Sequence, residues 1–178
     1  MFKIDKPKNP KTMSINWPIL LLASIVPLLV GAIWYNTKVF GAAWMKETGL
    51  TEEELKKANM AKVFGLTFIF SFLIAMTMQF VVIHQYHVYS IFANDAGLKD
   101  STSEISIYFK DFMDKYGNNF RTFKHGLFHG VLFGIFFGFP LMGVNALFER
   151  KSFKYIFIHA GFWTVCFALM GGIICAFA

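Results

Sequence analysis

Four stretches free of Asp, Glu, Lys and Arg fill most of this chain: 12–37, 63–94, 125–148 and 155–178. About 20 apolar residues in a helix cross the hydrocarbon core of a bilayer, so each stretch is long enough to span. A chain of 178 residues could not cover that much apolar surface in water. The expected fold is therefore all-α. It is a polytopic membrane protein of four transmembrane helices, over about 15–36, 60–93, 124–148 and 153–177. One amphipathic interfacial helix is expected over about 102–116, within a single membrane domain 1–178.

Composition bears on what surrounds the chain. Charged residues make up 16%, against roughly 25% in soluble domains. The 23 Phe are what a lipid-facing surface would use. The net charge of +6 is carried in loops and in the N-terminal tail. A nucleic-acid site would need basic residues and stacking aromatics on one soluble face, and none is present. Anionic headgroups of the lipid bilayer account for the charge more simply. Lys3, Lys6, Lys8 and Lys11 precede an apolar run too long for a signal peptide, so that run is expected to be a retained first helix. The same lysines favour both termini in the cytoplasm. Cys166 and Cys175 fit neither a redox pair nor a zinc motif, and on one helix they lie too far apart to bridge.

Local signals punctuate the spans. Trp17 stands at one end of the first span, and Trp34 and Tyr35 at the other, near the two headgroup belts. Pro18 fits the first turn and Pro27 predicts a kink. An apolar elbow over 39–45 is ended by Gly49 and Leu50. Thr51 with Glu54 predicts a capping box, Asn59 a cap for the second span, and Ser101 with Glu104 a second capping box. Ile105, Tyr108, Phe109, Phe112, Met113 and Tyr116 then recur on one helical face until Gly117. In the third span Gly126, Gly130, Gly134 and Gly138 form a stripe that lets another helix backbone approach closely, and Pro140 predicts a bend.

Gly31-x-x-Trp34-Tyr35, then Phe40-Gly41-x-x-Trp44-Met45, then Gly49-Leu50-Thr51-Glu52-Glu53 resemble the opening signature of an uncharacterised family of small bacterial membrane proteins. Its members have about four spans and carry a domain of unknown function. Where the typical pattern follows Trp-Tyr with Ser-Pro, this chain has Asn36-Thr37. The resemblance implies a bacterial inner (cytoplasmic) membrane, multi-pass, and supplies no reaction, so no catalytic residue is carried over.

All five histidines lie inside the charge-free stretches. His84 and His87 fall near the exit of the second span, His125 and His129 at the start of the third, and one loop joins those ends. Spacings of three and four place each pair on one helical face, so four imidazoles could meet in one leaflet. Imidazole suits zinc, copper and iron, and two facing histidines can hold a haem. His84, His87, His125 and His129 are thus the candidate ligands for a transition metal or haem. His159 starts from the opposite face. No Asp or Glu lies inside a span, so a metallohydrolase base has no candidate.

Three functions follow as expectations. The first is a non-enzymatic accessory or structural component that packs on other membrane protein subunits, or on itself as a homo-oligomer, through the glycine stripe. The second is a histidine-ligated metal- or haem-binding membrane protein. The third, a small transporter or channel, rests on the four-helix shape alone.

Overall fold

A computed structural model describes residues 14–178, and the basic run of Lys3, Lys6, Lys8 and Lys11 lies outside them. Every regular element among the described residues is helical. Four helices are long and apolar enough to cross a membrane: Trp17–Trp34, Met60–Val82, Phe123–Phe148 and Phe153–Phe177. The chain is an all-α, multi-pass membrane protein.

The first span begins where the Asn16 side chain accepts from the Ile19 amide at 3.3 Å. It pauses at Ile25, where Pro27 has no N–H to return to the preceding turn, and this is the expected kink. The elbow that follows is a π-turn, Thr37–Gly41, running into a short helix, Ala42–Thr48. Only glycine fits at position 41, because a Cβ there would enter the Tyr35 carbonyl. Gly49 stops the short helix in the left-handed conformation at φ 77°. Both bonds of the Thr51–Glu54 capping box form, and Asn59 caps the second span by accepting from the Lys62 amide at 3.0 Å.

Two local expectations fail for identifiable reasons. The helix expected over 60–93 is broken: it ends at Val82, Ile83 is extended, and a second helix runs from Gln85 to Phe92. The loop helix, Glu104–Tyr116, is capped by Ser103 rather than Ser101. Asp100 draws in both the amide and the hydroxyl of Thr102, and this tight turn through Ser101 delays the helix to Glu104.

The fourth span is the hub, with more than half of it buried, whereas the other three leave most of their surface outward. The glycine stripe of the third span lies on it. A Cβ on Gly126 would meet the Gly171 carbonyl and Cys175, one on Gly130 the backbone at Phe167 and Ala168, and one on Gly134 Thr164. The stripe is therefore filled by the chain's own last helix and is not an open face for another subunit. The bend expected at Pro140 takes a different form. A π-turn, Gly134–Gly138, widens the helix just before the proline, and the span continues to Phe148. Phe136 and Phe148 point away from the bundle, toward where the hydrocarbon lies.

Candidate metal centre

The break after Val82 positions the first ligand. Nothing at Ile83 or His84 forbids a helix, so the cause is tertiary. The Val82 carbonyl, which a continuing helix would bond to Tyr86, instead accepts from the Cys175 thiol at 3.4 Å. One residue beyond His84, the buried Gln85 amide donates to the Asn119 carbonyl at 2.9 Å and reaches the Tyr116 carbonyl at 3.4 Å. His84 is thereby fastened to the segment that leads into the third span.

That segment turns at Phe120, which adopts φ 61°. Thr122 then caps the third span by accepting from the His125 amide at 3.2 Å. His125 and His129 occupy successive turns. The ligand atoms of His84, His125 and His129 all lie within 4.8 Å of one another. The two Nε2 atoms of His84 and His125 are 2.9 Å apart, one donating and the other accepting. Phe120 lies against the His125 ring at 5.1 Å and Phe128 against His129 at 5.7 Å.

His87 is not in this group. It is exposed on the Gln85–Phe92 helix, whose amide at position 87 bonds back to the His84 carbonyl. His84 and His87 both lie beyond the break and stay one turn apart, yet only His84 brings its ligand atom to those of His125 and His129. His159 is remote, as expected. At the other end of the bundle its Nδ1 pairs with the Tyr35 hydroxyl at 3.1 Å, and Tyr155 covers its ring at 4.3 Å.

Burial holds the His84 imidazole below the usual histidine range, and the nearby His129 and His87 rings add to the effect. Neutral imidazole is the ligating form. Three such donors facing one point, with an exposed side and no carboxylate among them, can bind a borderline or soft divalent ion and leave a coordination position open.

The Tyr35–His159 pair was not anticipated from the residues. Its signal lay in the density of aromatics in the opening signature. Trp34 donates from Nε1 to the Ile158 carbonyl at 3.1 Å and packs on Phe40 at 4.4 Å, and Tyr35 packs on Trp44 at 5.3 Å. The signature is thus a clasp around the start of the fourth span.

Comparison with known proteins gives a family but no activity. A protein-family model described as "Protein of unknown function (DUF1761)" matches residues 18–175, nearly the whole chain, and the chain belongs to that family. No curated protein matches, and no solved structure does.

Proposed function

We propose that this member of the DUF1761 family is a bacterial inner-membrane protein that binds one transition-metal ion, zinc or copper, through His84, His125 and His129. The observation behind the proposal is the convergence of three imidazoles from two spans that the sequence separates by a long polar loop. Two nitrogens on a tetrahedral ion sit about 3.3 Å apart when each bond is about 2.0–2.1 Å. The 2.9 Å between His84 and His125 needs a few tenths of an ångström of opening to reach that spacing, and the wider separations, up to 4.8 Å, need a ring to swing inward. A haem fits less well. Its axial nitrogens stand about 4 Å apart, twice the metal–nitrogen bond, with a flat macrocycle between them.

The reading as an accessory subunit no longer has the glycine stripe to rest on, because that stripe already holds the fourth span. Elemental analysis of detergent-purified protein tests the metal reading. A stoichiometric ion is expected in the wild type and in His87→Ala, and its loss in His129→Ala. A clean elemental scan of the wild type, repeated after incubation with zinc and copper, would sink it.

A further inference from the structure

The third span carries a second stripe beside its glycines. His125, His129, Phe133 and Phe137 each precede one glycine of the series Gly126, Gly130, Gly134 and Gly138. On a plain α-helix a four-residue period drifts about 40° at each step, since 3.6 residues complete a turn. The π-turn at Gly134–Gly138 takes up that drift, because its wider turn holds more than four residues. With the glycines pinned on the fourth span, the histidine–phenylalanine stripe stays turned toward the second span along its length. Phe133 and Phe137 stack at 4.7 Å.

Past His129, the two phenylalanines of this stripe line a groove of about 420 Å³. Phe133, Phe137 and Leu141 line it from the third span, Leu73 and Thr77 from the second, and Trp163 from the fourth. It begins one turn after His129. From Phe133 to Met142 it follows about 14 Å of helix at 1.5 Å per residue. The groove and the imidazoles thus lie one after the other on one stripe of the third span, and we take them together as a cleft with a polar mouth at the triad and an apolar part beyond it.

We infer that this cleft binds a single long-chain fatty acid, with its carboxylate on the metal ion at His84, His125 and His129 and its alkyl chain along Phe133, Phe137 and Leu141. The inference rests on the metal reading above. Three features define the occupant. The mouth presents imidazoles at a helix N-terminus, with Lys124 preceding His125 and no carboxylate in the triad, so it favours an anion. Phe120 packs on the His125 ring and Phe128 on the His129 ring, so the polar patch is narrow and edged by apolar surface. The groove is an apolar trough between the second and third spans over Trp163 and Phe167 of the fourth, and it suits an alkyl chain.

Cobalt-loaded protein in nanodiscs provides the test, because the visible spectrum of the ion reports a new ligand. Palmitate is expected to shift the spectrum at a concentration at least tenfold lower than butyrate, which has the same head and no tail. Thr77→Trp and Leu141→Trp each fill the groove, and each should erase that advantage while leaving the cobalt spectrum without fatty acid unchanged. Equal effects of palmitate and butyrate, or no effect of either on an intact cobalt spectrum, would overturn the fatty-acid inference and leave the metal reading standing. Thr77→Trp turning a dimer into a monomer, with palmitate inert, would make the groove an interface between two copies and also overturn it. A wild type that takes up no cobalt, zinc or copper would remove the metal reading itself.

Discussion

The two ends of this bundle use histidine in opposite ways. At the clasp end, His159 lies beside aromatic rings, with Nδ1 held by the Tyr35 hydroxyl at 3.1 Å. At the cleft end, His84, His125 and His129 turn toward one another on a side that water can reach. The first arrangement gives Nδ1 a partner and leaves Nε2 buried without one. The second gathers more donors than the fold needs, and such a surplus is what a ligand uses. The comparison shows that an intramembrane histidine is informative through its neighbours rather than through its depth.

Exchanging the roles of the two ends gives the largest expected effect. His129→Ala should weaken metal affinity beyond the roughly 10–100-fold typical of losing an outer partner of a metal ligand. His159→Ala should leave affinity unchanged when both are measured by competition with a chelator. If His159→Ala strips the metal as well, the two ends are not independent.

Glycines at the two ends should separate next. A Cβ at Gly126 would enter the Gly171 backbone, so Gly126→Ala should destabilise the bundle by about 1–3 kcal/mol in detergent unfolding and displace His125. A Cβ at Gly161 would meet only the Trp34 ring, at 3.0 Å. That strain is offset by the gain of about 1 kcal/mol for alanine over glycine in a helix, so Gly161→Ala should stay near wild type. Equal losses would mean the close packing is uniform along the fourth span.

Removing the Tyr35 partner is expected to matter less. His159→Phe keeps the ring packing and deletes one hydrogen bond, a loss of about 0.5–1.5 kcal/mol with metal uptake intact. The smallest effect is that of pH on the metal-free protein. Burial lowers the His84 value in the folded state, so the unfolded chain binds the proton more readily. Stability should be full above the ordinary histidine value of about 6.5 and decline as pH falls through it toward the lowered value. Because His84 is exposed, its share of the decline should be shallow, and the decline should shrink in His84→Gln. A decline unchanged in that variant would assign it to another group.

Much of the architecture could be read from residues alone, because hydrocarbon imposes a simple rule on charge. The four spans, the Thr51–Glu54 box, the Asn59 cap and the Pro27 kink are all consequences of short-range chemistry. Three of the four candidate ligands share one point in the fold for the same reason: a loop must return the chain to the face it left. What escaped the sequence was decided across the bundle. The break before His84 depends on a thiol 93 positions away, which no local pattern announces. The partner of the glycine stripe could not be told from its spacing, since a helix of the same chain and one of another molecule make the same demand on small residues. The Ser101 cap failed because Asp100 holds Thr102 in a tight turn, and Ser103 then caps the helix by accepting from the Ser106 amide.

Cys175 joins these strands of the structure. Its sulfur donates to the Val82 carbonyl at 3.4 Å and to the Phe120 carbonyl at 3.3 Å, just before His84 on one side and before His125 on the other. Any loosening of the cleft mouth must first uncover that atom, while Cys166, also buried on the same helix, serves as an internal standard. The chain thus carries a built-in chemical clock, and the rate at which a maleimide labels one sulfur relative to the other would time the opening of the mouth without any engineered probe.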